Sequence, residues 1–285
     1  MPSLKVIRKR ISSIRNTQQI TKAMKMVSAA KLRRAQEAVL SARPYTEKMS
    51  ALLQNLSSRV AADAHPLLQL REEQRVDLIL VTADRGLCGG YNANLIRTAE
   101  RFMRANAGQR QTNLILVGRK GGDYFRRRGV EAVERFNVGA TPAEALAAEL
   151  AKKVTSRFLG NEADATYILF SKFRSALSQI PTLEKILPVS RPAKQSEGQA
   201  TEYLFEPGIQ ELLSSLLPKI VEVGIYQALL EAAASEQGAR MTAMDSATSN
   251  ATDIMDHLTL QMNRARQAAI TKELLEVVST AEALK

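Results

Sequence analysis

The sequence predicts an α/β domain with long terminal helices, the two helices pairing as an antiparallel coiled coil. Three observations carry that prediction. Helical spacing of apolar residues runs over 3–58 and returns over 208–284, and short continuous apolar runs alternate with helical patterns between them. Positive charge is concentrated at one end of the chain. The expected domains are an N-terminal helix (1–58), a central α/β domain (75–200) and a C-terminal helix (208–285) that pairs with the first.

The N-terminal helix carries the charge signal. Lys5, Arg8, Lys9, Arg10, Arg15, Lys22, Lys25, Lys31, Arg33 and Arg34 all precede the first acid, Glu37, in a chain whose formal net charge is +11. Arg8, Arg15 and Lys22 fall on one seven-residue stripe. Leu4, Ile7, Ile11 and Ile14 form an apolar stripe that then steps to Ile20, Met24 and Val27. A strict heptad is therefore not expected, and the partner-facing side should drift. Pro44 should bend the helix, and residues 59–74 read as a linker.

The middle has a different rhythm. "VDLILVTA" (76–83) and "TNLILVG" (112–118) have the unbroken apolar character of buried parallel strands. Each leads through a Gly-bearing loop into a helical pattern. "EAVERF" suits a third strand, and "TPAEALAAELAKKVTSRFL" a third helix that Thr141 caps and Pro142 opens. "ADATYILFSKF" and "TLEKILPV" supply further strands, and the polar "RPAKQSEGQA" marks the end. Strands and helices in this order imply a Rossmann-like domain.

The helical period returns at about 208, with Pro218 near the helix start, and hardly pauses. Ala239, Ala243, Ala247 and Ala251 recur every fourth residue, so another helix can approach that face closely. At about 1.5 Å per residue the terminal helices would span roughly 80 and 110 Å. Neither length fits inside a compact domain, which predicts a rod attached to a knob.

Composition excludes several function classes. Hydrophobic content of 45% with 24% charged residues fits a folded chain rather than a disordered one. A single cysteine, Cys88, leaves no internal disulfide, and His65 and His257 lie too far apart in sequence to suggest a metal site. No run approaches the roughly 18 consecutive apolar residues of a membrane span. The acid-free N-terminus matches the composition of a mitochondrial transit peptide, but it continues into helix without a processing break.

Catalytic constellations are not apparent. "DRGLCGGYN" (84–92) lies after the first strand, where doubly wound folds bind ligands, yet it lacks the spacing of a dinucleotide or phosphate loop. It reads as a tight connection in which Gly86, Gly89 and Gly90 supply permissive dihedrals and Asn92 or Asn94 caps the helix. "GRKGGDYF" is a weaker candidate, and Cys88 reads as a small packed residue. No cofactor is expected. A basic coiled coil that binds nucleic acid, or a nucleotide-binding enzyme with helical extensions, stays open on these observations, although no aromatic precedes Tyr45 to stack on bases.

Four longer stretches are more specific. "NTQQITKAMKMVSAAKLRRAQ", "DRGLCGGYNANL", "LLEAAASEQGARMTAMDSATSNATD" and "NRARQAAITKELLEV" resemble, in order and over the whole chain, the gamma subunits of F-type ATP synthases. The ending "VSTAEALK" departs from the Gly-Ala terminus of that family, and there is no cysteine-bearing insert of the chloroplast type. The resemblance implies a non-catalytic rotor shaft that couples proton flow to ATP synthesis or hydrolysis. Its implied partners are the alpha and beta subunits, the epsilon subunit and the membrane c-ring, with no nucleic acid and no small-molecule substrate. It implies a peripheral place on the cytoplasmic face of a bacterial inner membrane. Met24, Lys25, Arg266, Gln267, Thr271 and Glu273 then match the contacts with the beta catch loop. Leu274 onward would reach an apolar sleeve, and Arg8, Arg15, Lys22 and Arg33 would form a cationic shaft face.

Overall fold

The computed structural model describes residues 4–58, 65–139, 141–190 and 208–283. Helix α1 (Leu4–Ser58) is followed by a 3-10 turn (Pro66–Leu68), then β1 (Arg75–Val81), α2 (Tyr91–Asn106), β2 (Gln111–Val117) and α3 (Arg119–Arg127). Strand β3 (Ala132–Phe136), α4 (Ala143–Leu159), the hairpin β4 (Ala165–Phe173) and β5 (Gln179–Leu187), and α5 (Ile209–Ala283) complete the chain. The chain forms two compact units. One contains the start of α1 up to Ser28 and α5 from Met241; the other spans Ala29–Arg240.

The larger unit is built on a five-stranded sheet in the order β3-β2-β1-β4-β5, parallel except for β5 at one edge. Strands β1 and β2 bury both faces, which is why they read as continuous apolar runs. Leu78, Leu80, Leu114, Leu116 and Leu169 share one apolar cluster with residues of α2 and with Phe125 of α3. Ile79, Val81, Ile115, Val117, Ile168 and Phe170 share the opposite one with α4 and α5. By length and composition α5 could cross a membrane. Its residues Leu213, Leu217, Val221, Ile225 and Leu229 instead fill this core. Burying each such side chain is worth roughly 1.5–3 kcal/mol.

A buried ion pair fixes α4 to the sheet. Arg157 donates from Nε to Asp77 Oδ2 at 2.7 Å and from Nη2 to Oδ1 at 3.0 Å, with Asp77 wholly buried. Hydrogen bonding to Asp77 raises the Arg157 pKa, against the effect of burial.

Several local expectations change. The segment read as a linker contributes Leu67 and Leu68 to the core, and Val189 N–H donates to the Leu67 carbonyl; residues 59–64 lie outside the described residues. Thr141 does not cap α4: Pro142 occupies that position, with no side-chain cap. The terminal helices do not change in this way: α5 starts at Ile209 with Pro218 inside it, and α1 continues through Pro44.

The smaller unit is an antiparallel coiled coil. Gln18 bonds Thr252 at 2.7 Å, Thr21 meets Thr248 at 2.8 Å, and Lys25 pairs with Asp245, so the register is continuous. The seam positions of α1 are Leu4, Ile7, Ile11, Ile14, Gln18, Thr21, Lys25 and Ser28, with Met24 half-buried beside them. On α5 they include Met241, Met244, Thr248, Ala251, Met255, Leu258, Met262, Ala265 and Ala269. Both series alternate steps of three and four. The heptad expected to fail is therefore kept, the repeat of a left-handed supercoil. Hydrophobicity misled because the seam becomes polar at Gln18, Thr21, Lys25 and Ser28. Ile20, Met26 and Val27 are instead 60%, 59% and 55% exposed.

Candidate functional site

In a doubly wound sheet the ligand crevice lies at the carboxyl ends of the strands where the chain reverses its winding, here between β1 and β4. Helix α5 occupies that place. Ser235 Oγ donates to the carbonyl of Ser171, near the end of β4, at 2.7 Å. Tyr91 Oη donates to the Ala232 carbonyl at 3.3 Å. Arg240 reaches the carbonyls of Arg85 and Gly86 in the loop after β1, while Glu236 pairs with its guanidinium at 2.7 Å. A side chain on Gly238 would come within 3.2 Å of the Phe173 ring, so glycine lets the helix lie close to the strand end.

The glycine-rich loop is thus a clamp on a helix. Leu87 and Gly89 take its left-handed conformations; Gly86 and Gly90 do not. Neither Asn92 nor Asn94 caps α2, which starts after Gly90. Asn92 accepts from Ala83 N–H at 2.9 Å and donates to Cys88 Sγ, tying strand end to helix. Cys88 is buried, and burial pushes its thiol pKa up while Arg240 pulls it down. Burial pushes the Tyr91 hydroxyl well above its usual value. The second glycine loop is also engaged internally. Asp84 accepts from Arg119 N–H and Gly139 N–H, and Thr82 Oγ1 accepts from Gly121 N–H. Gly118, at φ +92°, passes so close to Thr82 that a Cβ there would collide with its carbonyl. The first turn of α3 therefore presents these amides to its own fold.

The residues singled out on the terminal helices lie in the coiled-coil unit, except Arg33. Arg8, Arg15 and Lys22 are exposed and directly follow the seam positions Ile7, Ile14 and Thr21. Met24 and Lys25 are half-buried, the latter on Asp245. Arg33, in the larger unit, is exposed and bonds Glu37 at 3.2 Å. Arg266, Gln267, Thr271 and Glu273 are exposed along α5, where Thr271 Oγ1 donates to the Gln267 carbonyl. From there α5 leaves Leu274, Leu275, Val277 and Val278 between 55% and 66% exposed. Ile20 and Val27, expected on the seam stripe, and Met26 are exposed, and their mismatch with the heptad is the signal in the sequence that marks them.

The family model described as ATP synthase matches residues 3–284. The ATP synthase gamma chain of Pelotomaculum thermopropionicum is 49% identical over 286 residues, covering all of both chains. The chain belongs to the ATP synthase gamma chain family. The gamma chain of Geobacter metallireducens is 50% identical, again over the whole of each chain. Among solved structures, a chain of the Euglena gracilis mitochondrial ATP synthase in rotational state 3 aligns with a TM-score of 0.68. It is 20% identical and covers 99% of this chain and 94% of its own. A chain from the central stalk and c-ring structure of the Tetrahymena thermophila mitochondrial enzyme aligns at 0.61, with 23% identity over 80% of this chain and 99% of its own. At those identities the solved chains establish the shared fold.

Proposed function

We infer that this gamma chain is the central-stalk rotor of an F-type ATP synthase, transmitting rotation between a membrane sector and the catalytic alpha and beta subunits. The observation that carries the reading is the coiled-coil unit. Its seam passes from apolar residues (Ile7, Ile11, Ile14) to polar ones at Gln18, Thr21, Lys25 and Ser28, while Ile20, Met26, Val27, Ile254 and Leu260 point outward at 49–60% exposure, the first three within an acid-free run of cations. A free-standing coiled coil hides such residues; one that turns inside a sleeve presents them. Solvated, separated charges give shallow wells, as a turning part requires. The solved relatives come from structures described as rotor and central stalk with c-ring, and this supports the partners: alpha and beta around the coiled coil, epsilon and the c-ring against the α/β unit.

Within that reading, Met24, Lys25, Arg266, Gln267, Thr271 and Glu273 contact the beta catch loop. Arg8, Arg15, Lys22 and Arg33 form a cationic face toward acidic loops of the stator. Similarity to bacterial gamma chains over the full length, at 49% and 50% identity, supports a site on the cytoplasmic face of the inner membrane. The test is co-purification of the tagged chain from cells expressing the complex. Alpha and beta should be recovered with it, and replacing Arg8, Arg15 and Lys22 by Gln should weaken that recovery, most clearly at low salt, where the removed charges are least screened. Recovery of nucleic acid in place of alpha and beta would overturn the assignment.

A further inference from the structure

Positive charge is not confined to the first helix. Between Asp84 and Arg135 the sequence holds eleven Arg and Lys against five Asp and Glu, a net of +6. Part of that excess lines one groove of about 590 Å³ between α2 and α3. Arg97 on α2 and Lys120 and Arg127 on α3 open onto it, all exposed. Among the described residues, none of the three has an ion-pair or hydrogen-bond partner.

The neighbouring acids are already engaged. Asp123 holds Arg126 at 2.9 Å, and Glu100 accepts from Tyr124 Oη at 2.9 Å and from Arg128 Nη1. Arg128 is steadied further by its place 4.5 Å over the Tyr124 ring. The groove therefore presents one oriented guanidinium and three unpaired cations from two helices. The lining carries Arg97, Lys120, Arg127 and Arg128 against Glu100 and Asp123, an excess of positive charge that draws an anion into the concavity. Its volume falls in the roughly 300–1,000 Å³ range of small-ligand pockets. Asn92 and Ala93, in the first turn of α2, also line it, and first-turn amides have no intrahelical acceptor.

We propose that the α2–α3 groove is a binding site for a free oligophosphate anion. Arg forks match phosphate oxygens two at a time and Lys acts as a point charge. Cations spread over two helices suit a chain of phosphates better than a single tetrahedron. Arg128 already covers one face of Tyr124, the aromatic residue in the lining, so a base has little to gain by stacking there. ATP and inorganic tripolyphosphate should therefore bind alike, and orthophosphate more weakly. The proposal is independent of the rotor reading, which stands or falls on the coiled-coil unit.

The experiment is hydrogen–deuterium exchange on the full chain at physiological ionic strength, with tripolyphosphate, ATP, orthophosphate or phosphatidylglycerol vesicles added in turn. Tripolyphosphate and ATP should protect residues 91–100 and 119–128. Arg97→Gln with Lys120→Gln and Arg127→Gln should weaken that protection at least about tenfold in apparent Kd. Arg8→Gln with Arg15→Gln and Lys22→Gln should leave it intact, which separates the groove from the basic helix. Should the groove variant fail to fold, Lys120→Gln alone must show a partial loss. Protection confined to residues 5–34, protection unaffected by the groove substitutions, or a response to vesicles alone would each overturn the proposal.

Discussion

Helix α5 is packed in two different ways along its length. Against the sheet it buries Leu213, Leu217, Val221, Ile225 and Leu229 and adds polar bonds at Ser235 and Arg240. In the coiled coil it meets α1 through Thr248, Thr252 and Asp245, with Ala251 and methionines between. The first segment is anchored by apolar area, at roughly 1.5–3 kcal/mol per side chain. The second gains only about 0.5–1.5 kcal/mol from each neutral hydrogen bond. The contrast teaches that one part of the helix is built to be held and the other to be matched in register while its outer surface serves a partner.

The largest expected effect breaks the anchored side. Asp77→Ala takes the buried carboxylate from Arg157, which keeps only the exposed Glu162 at 2.6 Å, and should cost about 3 kcal/mol, read as a lower denaturant midpoint for the full chain. Next, the two segments can be compared by the same kind of truncation. Leu217→Ala, at a fully buried site, should cost about 2–5 kcal/mol. Ile14→Ala, at a half-shielded seam position, should cost less than half as much. Equal losses would show that the coiled coil is held as firmly as the core.

A functional effect follows, on the part of α5 that carries exposed polar groups. If Arg266 and Gln267 bond the catch loop at one rotary position, each charged bond is worth roughly 1.5–3 kcal/mol. That is small beside the whole interface, so Arg266→Ala with Gln267→Ala should leave the complex assembled on native gels. ATP turnover and ATP-driven proton pumping should fall together, several-fold or more, because only interactions that differ between states affect coupling. Unchanged rates in a complete complex would make this pair ordinary helix surface. The smallest effect sharpens the seam itself. Thr21→Val with Thr248→Val removes both partners of one buried bond at nearly constant shape, so thermal stability should be unchanged or slightly raised. A marked loss would mean that polar seam pairs hold the coiled coil together rather than set its register.

Much was legible in the residues alone. Unbroken apolar runs set β1 and β2, because strands buried on both faces need them, and long helical periods set α1 and α5. The absence of phosphate-loop spacing in "DRGLCGGYN" was also a sequence fact. Tertiary structure decided the rest. It kept the heptad through Gln18, Thr21, Lys25 and Ser28, since a polar side chain can fill a seam position when the facing helix supplies its hydrogen bond. It placed Arg240 and Ser235 on the loops at the strand ends, a contact between residues far apart in the chain that no local pattern encodes. Local periodicity reports which residues prefer burial; only the packed partner determines which of them are granted it.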